Sequence, residues 1–246
     1  MKKITPLLAL SVAALLPFNS NAASYKEAAV TDGGTISGKV AFSGKDLAPK
    51  IYKITKDNDV CGEGNREIDY IKVTNGNLND VVVYLEKVKQ GKPFPADVGD
   101  IQIEQKGCEF SPFLQVMKNG SKLAAENKDP VLHNIHTYEL IRGDAKGPKK
   151  TGFNVSQPDM GTVTKTVKNK RGAALKIECD AHDFMHSFVF VAKNPYFAVV
   201  KDGNFSIDNV PPGKYTIKAW HGMLKNQKGK VEVAANGTAT IDFTFK

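Results

Sequence analysis

Four side chains offer a definite chemistry in this sequence. Cys179, His182 and Met185 form a Cys-x2-His-x2-Met run, and His133 stands upstream in Asp129-Pro130-Val131-Leu132-His133-Asn134-Ile135-His136. A thiolate and two imidazoles with a weak thioether suit a trigonal site with one long axial bond. That donor set favours copper cycling between Cu(I) and Cu(II), because thiolate and thioether hold Cu(I) while imidazole accepts both states. Zinc on Cys and His competes with this reading, and Met185 argues against it. A buried free cysteine beside two unconnected histidines is the plainest alternative. His136 competes with His133 for the upstream position. The two are three residues apart, so on a regular strand they face opposite sides, and both ligate only across a bulge. His186 follows Met185 directly and reads as a neighbour.

These residues need strands to carry them. The run Ala174-Leu175-Lys176-Ile177-Glu178-Cys179 alternates, which places Cys179 on the inward face with Leu175 and Ile177 at a strand end. Residues 131–140 read as a strand bearing His133 and His136. Period-two alternation recurs at Ile36, Gly38, Val40 and Phe42, through 81–88, at Ile101 and Ile103, over 187–192, at Tyr215, Ile217 and Ala219, and at Ile241, Phe243 and Phe245. Asn75-Gly76, Asn119-Gly120, Asp202-Gly203 and Asn236-Gly237 are hairpin-type turn signals, and Pro211-Pro212-Gly213 is a further sharp turn. No capped 3.6-residue pattern appears. The expected fold class is all-β, built of β-sandwiches.

Residues 1–22 read as a secretory signal. Lys2 and Lys3 open it, residues 6–16 are apolar but too short to span a bilayer, and Ser20-Asn21-Ala22 offers small residues for cleavage after Ala22. The expected destination is the periplasm, or the cell exterior. In an oxidising compartment three cysteines leave one unpaired. Cys61 and Cys108 stand in loop-like settings, Val-Cys-Gly-Glu-Gly and Lys-Gly-Cys-Glu-Phe, and are expected to form a disulfide. Cys179 stays reduced, for which metal ligation is the available chemical reason.

Residues 101–191 resemble the cupredoxin, or blue-copper, family, most closely its amicyanin branch. That pattern carries His-Asn-x-His on one strand and Cys-x2-His-x2-Met on the closing loop, here His133-Asn134-Ile135-His136 and Cys179-Asp180-Ala181-His182-Asp183-Phe184-Met185. The resemblance implies a Greek-key β-sandwich with one type 1 copper. It makes His133, Cys179 and His182 the equatorial ligands, Met185 the axial one, and Asn134 a tie between the two ligand loops. It also implies an electron-transfer edge at His182, with Phe184 beside it as an apolar patch. The insert between His136 and Cys179 is longer than the amicyanin pattern allows.

A second resemblance flanks the first. Ile36-Ser37-Gly38-Lys39-Val40 and, far downstream, Gly203-Asn204-Phe205-Ser206-Ile207 with Pro211-Pro212-Gly213-Lys214-Tyr215 resemble the carboxypeptidase regulatory-like β-sandwich. Its start precedes the copper segment and its end follows. The expected organisation is a signal at 1–22, an outer sandwich from 23–98 and 194–246, and an inserted copper domain at 99–193. Two tandem domains are the alternative.

Composition bounds the function classes. The chain has 246 residues with Lys+Arg 34 and Asp+Glu 26, 41% hydrophobic and 24% charged, which excludes wholesale disorder. Loss of Lys2 and Lys3 with the signal lowers the net charge from +8 to +6. The lysines are spread out. The one short cluster, 165–171, has no interleaved aromatics of the kind a nucleic-acid groove uses. No nucleic-acid partner and no membrane insertion of the mature chain are expected. There is no G-x-S-x-G, H-E-x-x-H or acid–base pair, and His136, His186 and His221 are too few for further copper clusters, so no enzyme activity is expected. The expected role is a one-electron carrier whose positive charge steers an acidic protein partner. Copper handling without turnover, or a structural protein with a vestigial site, are the alternatives.

Overall fold

The computed structural model describes residues 25–45 and 47–246. The export signal expected over 1–22, with its cleavage after Ala22, lies outside them. The all-β expectation holds: the one α-helix among the described residues is a single turn, Asn58–Cys61. Two Xaa-Gly turns adopt the geometry their residues select. Asn75-Gly76 has φ of 52° and 76°, and Asp202-Gly203 of 49° and 75°. Positive φ at both central positions matches the twist of paired strands.

Two sheets arise from the middle of the chain. One orders Phe110–Ser111, Ile101–Gln105, Lys122–Asn127 and Gly161–Thr166. The other orders Leu114–Lys118, His186–Ala192, Ala174–Glu178, His133–Leu140 and Lys149–Gln157. Inward side chains of both, including Ile103, Leu123, Ile135, Ile177 and Val189, form one buried cluster. Burying each such side chain contributes about 1.5–3 kcal/mol. His133 sits in the first position of its strand, and the register shifts between Thr137 and Tyr138, after the stretch that carries both histidines.

Strands from both sides of that segment form the second pair of sheets. Val81–Leu85 lies between Phe197–Val199 and Gly213–His221, with Gln227–Val233 beyond. Gly34–Phe42 pairs with Asn204–Val210, Thr238–Thr240 and Phe243–Phe245. Gly38 needs to be glycine, because a Cβ there would collide with the carbonyl oxygen of Ile241. Ile36, Val40, Leu78, Phe205, Ile217 and Phe245 are at the centre of this core. A third cluster draws on both pairs of sheets: Val82 and Trp220 pack with Leu140, Ala174, Phe188 and Phe190. The Trp220 indole N–H donates to the carbonyl of Gly143.

One segment departs from the sequence-based division. The hairpin Lys50–Lys53 with Asn65–Ile68, and the helical turn between them, fall within the 23–98 expected to belong to the outer sandwich. Tyr52, Ile54 and Cys61 instead bury themselves in the core of the 101–192 sheets. The Cys61–Cys108 disulfide forms as expected and ties this segment to them. Closing a loop of that length is worth about 4 kcal/mol in the chain-entropy picture.

Candidate metal centre

Three of the four expected ligands converge. Donor atoms of His133, Cys179 and His182 lie within 4.8 Å of one another, all three residues buried. The two Nδ1 atoms are 3.2 Å apart, and Cys179 Sγ lies 3.9 Å from His182 Nδ1. Nitrogens that close can both reach one ion at about 2.0–2.1 Å, with sulfur at about 2.3 Å. The donor chemistry therefore fits a thiophilic cation. Met185 is 1% exposed in the same core cluster. The ligand loop is closed by hydrogen bonds from Met185 N to the His182 carbonyl and from Cys179 N to the Met185 carbonyl.

Local sequence explains the arrangement. Strand alternation turns His133 and Ile135 inward, both 0% exposed, and His136 outward. His136 meets the Asp180 carboxylate at 3.0 Å and stacks on Tyr138, so it is not brought to Cys179. His186 is not in the cluster either. Its Nε2 meets the Tyr52 hydroxyl, and burial lowers its pKa to about 4. His221 is buried in the other sandwich.

Asn134 ties the loops together. Its backbone N–H points at Cys179 Sγ, and its side-chain oxygen accepts from the Cys179 thiol and from the N–H groups of Asp180 and Ala181. Its amide nitrogen donates to Asn154 and Asp180. Burial pushes the Cys179 thiol above its ordinary range despite those donors. A neighbouring cation is what would hold it as thiolate.

Two carboxylates that sequence reasoning missed orient the imidazoles. Asp129 Oδ2 lies 2.9 Å from His133 Nε2, and Asp57 Oδ2 lies 2.9 Å from His182 Nε2. Each bond directs its ring so that Nδ1 faces the cluster, the carboxylate–histidine pairing that accompanies metal ligation. Burial alone would raise Asp129. The N–H of Cys108, the His133 ring and the N–H of Gly107 outweigh it and hold the carboxyl below its ordinary range. Asp129 has a sequence signal, an acid one turn-like step before His133. Asp57 has none, since 125 residues separate it from His182.

The exposed edge expected at His182 and Phe184 is absent. His182 is 1% exposed and Phe184 4%. Asp57 lies against the His182 ring, and the disulfide sulfurs are in the same 4.8 Å neighbourhood. Arg66 lies over the Phe184 ring and donates to the carbonyls of Cys61, Gly107 and Cys108. Ile51 of the strand Lys50–Lys53 is an exposed apolar side chain, and so are Leu132, beside His133, and Met160. Asn127 joins the loops of Leu132 and Met160 by donating to the carbonyls of Val131 and Asp159.

Among the described residues no helix is long and apolar enough to cross a membrane. The sequence family Polysaccharide lyase family 4, domain II, matches residues 171–241, under a third of the chain. That match replaces the carboxypeptidase regulatory-like resemblance. It begins at the strand leading to Cys179 and runs into the flanking sandwich. No curated protein matches the sequence. A purple cupredoxin from Nitrosopumilus maritimus is 20% identical over 38% of this chain and 100% of its own, with a TM-score of 0.31. A reduced Cu(I) form of an amicyanin variant is 18% identical over 38% of this chain and 83% of its own, at 0.30. A copper-containing nitrite reductase from Thermus scotoductus SA-01 is 16% identical over 43% of this chain and 24% of its own, at 0.29. Likenesses of that extent assign no function, and the chain is similar to these proteins only in part.

Proposed function

We propose that this chain is an exported copper protein that carries single electrons, whose metal would be held by His133, Cys179, His182 and Met185. The convergence of two imidazole Nδ1 atoms and one buried thiol supports this reading. Copper bound there would supply one-electron exchange between Cu(I) and Cu(II). The chain's own residues do the rest. Asp129 and Asp57 fix the imidazole orientations, Asn134 fixes the thiolate loop, and the surrounding apolar core excludes water. A route through His182 would reach solvent beside Asp57, whose side chain is 36% exposed, rather than through an apolar patch. The Leu132 and Met160 loops form the apolar surface for a redox partner with acidic groups. In this reading the copper segment is an insert in an outer sandwich, the mature chain is periplasmic, and no substrate is turned over.

The cover over His182 favours a second reading, copper holding and delivery without rapid electron exchange. One set of experiments addresses both. The mature chain is loaded with Cu(II), and visible and EPR spectra are recorded. An intense thiolate-to-copper band with narrow hyperfine splitting is the expected result, and a colourless protein that binds zinc equally well would sink both readings. Fast, reversible reduction supports the carrier. Slow reduction with ready loss of copper to a chelator supports delivery.

A further inference from the structure

Away from the metal centre, a cleft of about 400 Å³ opens where the two pairs of sheets meet. Its size falls within the range of small-molecule sites. Its floor is apolar and aromatic: Phe190 with Tyr84 at 4.8 Å, and Leu140. Five cationic side chains line it, Lys87, Arg142, Arg171, Lys193 and Lys218, against the single carboxylate of Glu86. Glu86 is already paired, at 2.6 Å, with Lys218. Lys193 donates to the carbonyls of Lys170 and Arg171. The Lys87, Arg142 and Arg171 side chains make no ion pair among the described residues, and the buried Glu139 carboxylate behind the cleft accepts from the backbone N–H groups of Arg171 and Gly172.

We propose that this cleft binds a small organic anion with a flat apolar ring. The ring would lie on Phe190 and Tyr84, and its anionic group would meet Arg142 and Arg171. Guanidinium groups take a carboxylate by paired, charge-assisted hydrogen bonds. The third buried cluster gives this site its own reporter. Trp220, the one tryptophan in the sequence, packs 5.7 Å from Phe190 and donates to Gly143, both of which line the cleft.

The test uses the mature full chain and 4-hydroxybenzoate, followed by Trp220 emission. A saturable change is expected, with copper-loaded and copper-free protein alike, and in a Cys179→Ala variant. The neutral amide, 4-hydroxybenzamide, should bind about tenfold more weakly or worse, the loss of one charge-assisted contact. The exposed double variant Arg142→Gln/Arg171→Gln should lose affinity by about tenfold or more while its denaturant midpoint stays unchanged. No saturable change in emission, equal binding of the amide, or equal affinity in a folded double variant would overturn the proposal. Binding that disappears in Cys179→Ala would relocate the anion to the metal centre and overturn it as well.

Discussion

Asn134 bears more of the candidate centre than its size suggests, since one carboxamide serves both ligand loops. Replacing it with alanine leaves the Asp180 N–H, 2.6 Å from its present acceptor, without a partner. We expect Asn134→Ala to lower stability by about 1–3 kcal/mol, the cost of an unsatisfied buried polar group. Denaturant melts of the metal-free protein check it. With copper, the same variant should keep the metal but shift its visible band, because the Asn134 side chain no longer fixes the backbone of the Cys179 loop, while the backbone N–H to the sulfur remains. His182→Ala should instead abolish that band or make it depend on added imidazole, and an unchanged spectrum would remove His182 from the ligand set. At this scale the sequence was legible where chemistry and local spacing coincide. The Cys-x2-His-x2-Met run and the inward parity of His133 both follow from short-range pattern. Asp57 was not legible, because its bond to His182 joins residues far apart in the chain, and nothing in its neighbours marks it.

The segment 50–68 is the element that changes the site's access. Sequence pattern identified its cysteine and the disulfide partner. It did not show that the disulfide lands beside His182, since strand periodicity says which face a residue takes and not which sheet it meets. Three forces seat the segment: the Cys61–Cys108 bond, the Arg66 hydrogen bonds to the Gly107 and Cys108 carbonyls and the Glu109 carboxylate, and burial of Tyr52 and Ile54. A Cys61→Ser/Cys108→Ser variant loses the first and keeps the others. Its stability should fall by up to about 4 kcal/mol. Its Cys179 thiol, now under a looser cover, should react faster with a soluble disulfide reagent than in the parent, measured without metal. An unchanged labelling rate would mean that the Arg66 contacts and the packed side chains suffice to close the site.

At the scale of the molecule, the two pairs of sheets share a buried seam, so an ionisation in one sandwich is felt by the stability of the whole. His221 provides such a group far from the candidate metal centre. It ends the strand Gly213–His221, is 2% exposed, and accepts the Met223 N–H through Nδ1. Burial alone pushes its pKa down to about 4. The folded protein therefore keeps His221 neutral while the unfolded chain takes up a proton near its ordinary value of about 6.5. The unfolded state binds more protons throughout that interval, so stability falls as pH drops from about 6.5 towards 4. Between pH 7 and 5 this one group should cost about 2 kcal/mol. His221→Asn keeps an acceptor for the Met223 N–H and removes the titration. Denaturant midpoints of the copper-free parent should drop across this range more steeply than those of the variant. Parallel curves would show that the seam admits water to His221 and that the acid sensitivity of the fold resides elsewhere.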